Sequence, residues 1–131
     1  LFAERGWHWG PITRTDGLDL SRSITSNRYR YIYNALPNRS YTPVDMSGKD
    51  AWKAIQSAHA ANKLSPLHDR LYFQNPRPVV ELYDLRNDPL ELHNLAGKKS
   101  VAEREQTLCE ALESWMIREH DFLPLPTHAQ Q

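Results

Sequence analysis

Six histidines, at positions 8, 59, 68, 93, 120 and 128, are the groups of this chain best suited to bind a metal or move a proton near neutral pH. No two fall at the His-x-His or His-Glu-x-x-His spacing that sets two imidazoles on one ion, so a zinc site is not expected. Cys109 is the single cysteine. It can form neither an intrachain disulfide nor a four-thiol metal site, and its place between Leu108 and Glu110 reads as a buried, inert thiol rather than a nucleophile. Asp84 and Asp88 could face a cation, but in a strand-to-turn segment carboxylates accept hydrogen bonds from backbone amides, and that is their expected role. A Gly-rich phosphate loop, a Gly-x-Ser-x-Gly elbow and a paired-Cys motif are all absent from the sequence. The segment Trp7-His8-Trp9, with Arg14 beyond it, carries more chemistry. Indole faces stack on sugar rings, and the imidazole between them can hydrogen-bond a hydroxyl or an anionic group. The alternative reading is that these aromatic residues fill the edge of a core. Asn38-Arg39-Ser40 matches a glycosylation acceptor, a pattern short enough to arise by chance and meaningful only in a secretory host.

The charges are balanced, with 16 basic and 16 acidic residues, so no net field draws the chain to nucleic acid or to an anionic membrane. The apolar runs are only a few residues long, too short for a membrane span or a signal peptide. At 131 residues one domain is the expectation, covering 1–131 with an extended tail over 122–131. The apolar opening Leu1-Phe2-Ala3 reads as a strand entered halfway, which suggests that the chain is part of something larger.

The elements that must position these groups follow from apolar periodicity. "SRSITSNRYRYIYN" predicts an antiparallel hairpin around Ser26-Asn27, in which Tyr29, Tyr31 and Tyr33 alternate with Arg28, Arg30 and Ile32. "ALPNRSYTPVDM" is a loop. A helix is predicted over 47–63, capped by Ser47, with Trp52, Ile55 and His59 on one face. "SPLHDRLYFQNPRP" allows a short helical turn after Pro66 and then extended chain. Val79 to Leu85 alternate as a further strand. Asp88-Pro89-Leu90-Glu91 carries the pattern of an N-cap, a first-turn proline and a Glu that reaches back, so a short helical turn should follow. Ser100 and Glu103 repeat that pattern, opening a helix that runs to about His120 with Val101, Leu108, Leu112, Trp115 and Met116 along one stripe. The tail "DFLPLPTHAQQ" cannot continue it.

With "YRYIYN", "ELYDLRNDPLELHNLAG" and a helix ending in "LESWM" in this order, the chain resembles the C-terminal subdomain of a sulfatase, a family of the alkaline-phosphatase superfamily. The likeness extends across nearly the whole chain and is most specific from ELYDL to NLA. Within the family it is most similar to the sulfamidase (heparan N-sulfatase) type, through "FAERGWHWGP" ahead of the Arg-Ser strand and "REHD" near the end. The resemblance implies that the ELYDL block builds a small domain buttressing an active site. It places the nucleophile, a formylglycine made from Cys or Ser in a Cys/Ser-x-Pro/Ala-x-Arg motif, beside a calcium ion in a separate N-terminal catalytic domain, so no cofactor is expected in this chain. Ser100-Val101-Ala102-Glu103-Arg104 formally satisfies the serine form of that motif. It opens a helix and lacks the family's downstream Thr-Gly segment, so helix capping is the expected role of Ser100.

The expected fold is α+β: an antiparallel sheet of three or four strands packed against the C-terminal helix, with a second, shorter helix beside it and Leu108, Leu112, Trp115, Ile32, Leu82 and Val80 in the core. The expected function is that of a C-terminal region of a sulfatase-like hydrolase of sulfated carbohydrate, not catalytic alone, in a periplasmic, secreted or lysosomal-type compartment. Its expected partners are the N-terminal catalytic domain and a sulfated saccharide. The residues expected to touch that saccharide are Trp7, His8, Trp9 and Arg14. Two alternatives are a stand-alone carbohydrate- or anion-binding module and the terminal domain of a phosphodiesterase or phosphonate hydrolase.

Overall fold

The computed structural model describes residues 1–7, 18–41, 43–46 and 48–126, with Trp7 and Val44 described by their backbone alone. The chain divides into two compact units: Leu1–Arg5 with Leu20–Ala35 and Pro78–Gln131, and Gly6–Asp19 with Leu36–Arg77. The first unit is organised by a four-stranded sheet of order β1-β2-β3-β4, with β1 at Phe2–Trp7, β2 at Leu18–Thr25, β3 at Tyr29–Asn34 and β4 at Val80–Asp84. β2, β3 and β4 pair antiparallel, and Leu1 and Thr25 exchange both backbone hydrogen bonds, the mark of an antiparallel pair at the β1 edge. This is the expected α+β class.

The hairpin forms where its sequence turns polar. The Ser26 amide donates to the Tyr29 carbonyl, while its hydroxyl oxygen accepts from the Tyr29 amide at 2.9 Å. Because side chains alternate along a strand, the register that pairs Tyr31 with Leu82 and with Ile24 puts Tyr29, Tyr31 and Tyr33 on one face. That face is the core, completed by Leu108, Cys109, Leu112 and Met116 of the helix α3, Ala102–Arg118. Ile32 departs from its expected core position: it alternates with these tyrosines and takes the opposite face with Arg30 and Asn34. Val80 and Trp115 pack at the border of the core, Trp115 stacking on Phe2 with centroids 5.2 Å apart.

α3 does not begin at a Ser100 cap. A 3-10 turn at Lys99–Val101 leads into it, and no side chain caps either segment. Its far end is closed by a Schellman motif, in which the Asp121 amide bonds the Met116 carbonyl and the His120 amide bonds that of Ile117. His120 holds the left-handed position of that motif at φ 54°. In the tail, Leu123 is buried and Phe122 is exposed. The helical turn expected after Asp88 is absent, because Glu91 adopts φ 55° and turns its carboxylate to Arg30, 2.5 Å away, instead of back toward the cap.

The second unit holds two helices. α1 spans Asp50–Ala60 with Lys49 at its cap and no side-chain bond there, while Ser47, the expected cap, lies outside the described residues. A second Schellman motif, with Asn62 at φ 53°, ends α1. α2, Pro66–Phe73, is a full two turns rather than the single turn expected, started by Ser65, whose hydroxyl accepts from the His68 amide, and by Pro66 at the first position. A 3-10 turn, Val44–Met46, interrupts the preceding loop. Trp52 is buried as α1's periodicity requires, with Phe73 parallel to it and Tyr72 meeting it edge-on.

These packing differences give unequal costs of truncation. Leu112→Ala, at a fully buried site, should cost about 3 to 5 kcal/mol, and Trp115→Ala, at the border, about 2 kcal/mol. Urea denaturation with equal m-values checks the order; equal losses would place Trp115 in the core after all.

Candidate functional site

Of the four residues singled out for sugar contact, His8, Trp9 and Arg14 lie outside the described residues, and Trp7 is the last residue of β1. The described histidines do not converge. His59 contacts Asp69 through Nδ1 at 2.6 Å, His68 lies beside Tyr72, His93 is 3.5 Å from Asp88, and His120 ends α3. Among the described residues no three His, Cys, Asp or Glu side chains are grouped so as to hold a metal ion. Cys109 is buried against Tyr31, and burial pushes its thiol up, away from the reactive thiolate. Ser100 is exposed in the 3-10 turn. Asn38 of the glycosylation-like triplet is exposed just beyond β3.

The block from 79 to 97 is built from hydrogen-bond acceptors at fixed offsets. Asp84, at the end of β4, receives the Arg28 guanidinium through both oxygens, at 3.0 and 2.6 Å, together with the Arg86 amide and the Asn87 side chain. The Arg28 bond, with the amide donors, holds its carboxyl at about 2. Four residues on, Asp88 accepts from the amides of Leu92 and His93, and the first of these bonds leads in lowering its pKa. Asn94 then lies along the outer edge of β4. Its oxygen accepts from the amides of Leu82 and Ala96, its nitrogen donates to the Val80 carbonyl, and the Leu95 amide bonds the Leu82 carbonyl. An otherwise unpaired strand edge is thereby occupied. Gly97, at φ 77°, makes the exit that a side chain would strain, and its amide donates to Glu105 on α3. Asp84 and Asp88 are turn acceptors, as their sequence context implied.

Two polar arrangements were not read from sequence. Arg22 is buried in β2 and donates to both oxygens of Asp121, at 2.5 and 3.0 Å, and to the carbonyls of Arg5 and Ser21. On the opposite sheet face Glu81 accepts from the Asn34 side chain and the Tyr83 hydroxyl. A third arrangement is aromatic. In the second unit Phe73 stacks with Trp52, at 5.7 Å, and with His59, at 3.8 Å, each within 9° of parallel to it, and Tyr72 has Tyr41 and His68 at 6.5 and 6.4 Å. The spacing of His68 to Tyr72, one helical turn, was the signal for it within a stretch too mixed to assign.

No protein-family model matches the chain. Two sulfatases of Formosa agariphila, both named as ulvan-active, are similar to it. One is 28% identical over 126 residues, 94% of this chain and 21% of the relative. The other is 32% identical over 103 residues, 79% of this chain and 18% of the relative. The chain thus spans about a fifth of the length of these curated relatives. Similarity of this extent supports reading it as one region of a sulfatase-like protein.

The Asp84 turn yields a pH dependence of known sign. Its carboxyl is depressed from 3.8 to about 2, so its contribution to stability is complete above 3.8 and is lost as pH falls through 2. Asp84→Asn should melt below the wild type at pH 6, and the gap between the two melting temperatures should close between pH 4 and 2. A gap that stays constant with pH would mean that the ionised carboxylate does not hold the turn.

Proposed function

We propose that this chain is the C-terminal region of a sulfatase-like hydrolase acting on sulfated carbohydrate, supporting an active site whose nucleophile and calcium belong to an N-terminal catalytic domain. The observation that carries this reading is the alignment of 94% of the chain with about a fifth of an ulvan-active sulfatase. The ELYDL to NLA block agrees with it in kind: its aspartates and asparagine are spent on turns and a strand edge, which is the part a buttressing domain plays. In this reading Trp7, His8, Trp9 and Arg14 line one wall of the substrate pocket, stacking and hydrogen-bonding a sugar. The segments "FAERGWHWGP" and "REHD" favour the sulfamidase type within the family, so both sulfate esters and sulfamates are candidate substrates. A periplasmic, secreted or lysosomal-type compartment follows from the same family.

Two assays test this. The chain alone, given an aryl sulfate or N-sulfoglucosamine with calcium, should turn over neither, since an activated nucleophile is expected only in the partner domain. Turnover abolished by Ser100→Ala would overturn that expectation. The full-length parent should hydrolyse a sulfated saccharide, and His8→Ala should raise its KM about tenfold with kcat nearly unchanged, the loss of roughly 1 to 1.5 kcal/mol for one hydrogen bond to the sugar. The same variant should leave hydrolysis of a small aryl sulfate unaltered. An unchanged KM on the saccharide returns His8 to the edge of the core, and a parent that hydrolyses neither ester nor sulfamate removes the sulfatase reading.

A further inference from the structure

We propose that the helical unit carries a saccharide-binding surface of its own, centred on Tyr72 with Tyr41 and His68 beside it, and that it takes an anionic sugar chain. The first ground is the state of α2. None of its eight side chains is fully buried, although two are aromatic and a third is an imidazole. Tyr72 is half-buried, and buried Trp52 braces it at 5.8 Å with the two ring planes 70° apart. A partly exposed ring braced in this way has little further entropy to lose when a ligand stacks on it. Tyr41 and His68 lie tilted at 37° and 33° to Tyr72, and His68 is exposed. Aromatic faces with a neighbouring donor that can carry positive charge suit the apolar face and the anionic substituents of a charged sugar.

The second ground is charge. The chain is neutral as a whole, yet the helical unit, Gly6–Asp19 with Leu36–Arg77, contains seven basic and five acidic residues, while the remainder contains nine basic and eleven acidic. The aromatic surface therefore belongs to the positive part of a molecule whose other part is negative, which favours an anionic occupant there. The choice of a sulfated sugar as that anion rests on the sulfatase reading above. Leu67 and Leu71 are also exposed on α2, so a second copy of the chain is the competing occupant.

The test titrates the isotope-labelled 131-residue chain with an ulvan oligosaccharide, before and after chemical desulfation, following backbone and aromatic NMR signals. Binding should be saturable, should shift Tyr41, His68 and Tyr72, and should weaken on desulfation. Tyr72→Leu, which keeps apolar bulk without a flat face, and His68→Ala, at an exposed position, should each melt like the wild type and bind about tenfold more weakly. Wild-type affinity in Tyr72→Leu, shifts confined to other residues, no saturable binding, or shifts that follow protein concentration alone and so report a second copy, would each overturn the proposal. Hydrolysis of a small aryl sulfate by the full-length parent reads the sulfatase assignment separately. Hydrolysis with undiminished saccharide binding by the variant sinks the surface alone. Saccharide binding lost in the variant, from a parent without hydrolysis, sinks the sulfatase reading alone.

Discussion

A guanidinium taken out of water must find acceptors for its donors, and Arg22, only 3% exposed in β2, finds them in three places at once. Asp121 supplies both carboxylate oxygens from the turn that ends α3, Arg5 supplies a carbonyl from β1, and Ser21 supplies its own. The pair holds the strand edge, the central hairpin and the end of the long helix in one geometry. Such a pair adds little net stability over an apolar replacement, but removing one partner strands a buried charge. Its main effect is to fix which arrangement is reached. The Schellman turn at His120 brings Asp121 off the helix axis to meet Arg22, and the Leu123 amide donates back to the same carboxylate. Leu123 then buries against the core.

A comparable economy governs the other edge of the sheet. β4 ends the hydrogen-bonded array, and an edge strand left open is a template for unwanted pairing. Asn94 imitates a strand residue there, with one side-chain amide serving a donor and an acceptor of β4. The turn that brings it back is held by Asp84 and Asp88, each accepting from amides that the chain reversal would otherwise leave unpaired. This is why so specific a run of residues contains no reactive group. The acceptors of Asp84, Asp88 and Asn94 are taken up by backbone amides and by Arg28.

The two units differ in how they use aromatic rings. In the sheet unit the tyrosines of β3 face inward, and desolvation raises the pKa of the buried Tyr31 hydroxyl, which stays neutral beside Cys109. In the helical unit one tryptophan is buried and the rings around it remain partly open. Burial of all of them would need more chain than this unit of loop and short helix provides, since small assemblies bury a smaller share of their surface. Open rings on a positive unit are therefore a consequence of its size as well as an opportunity for binding.

Strand alternation in 28–34 and 79–85, the hairpin at Ser26-Asn27, the apolar stripe of Leu108, Leu112 and Met116, and the acceptor roles of Asp84 and Asp88 were legible in the sequence, because each depends on neighbours within a few residues. Local rules failed where a distant residue competed. Glu91 fits a helix start in sequence but is drawn to Arg30, sixty-one positions away. Ile32 looks like core beside its tyrosines, yet period two obliges it to take the other face once Tyr31 is inside. Arg22 and Asp121 are ninety-nine positions apart, and no local pattern announces that one will neutralise the other. The α2 ring cluster was hidden for the same reason, since Trp52 and Tyr41 reach Tyr72 only after α1 and α2 have formed. The sequence by itself determined the elements, because backbone periodicity and turn chemistry are short-range. Only the tertiary structure decided which charges are paired and which aromatic faces are covered, because those depend on burial, and burial is a property of the folded chain as a whole.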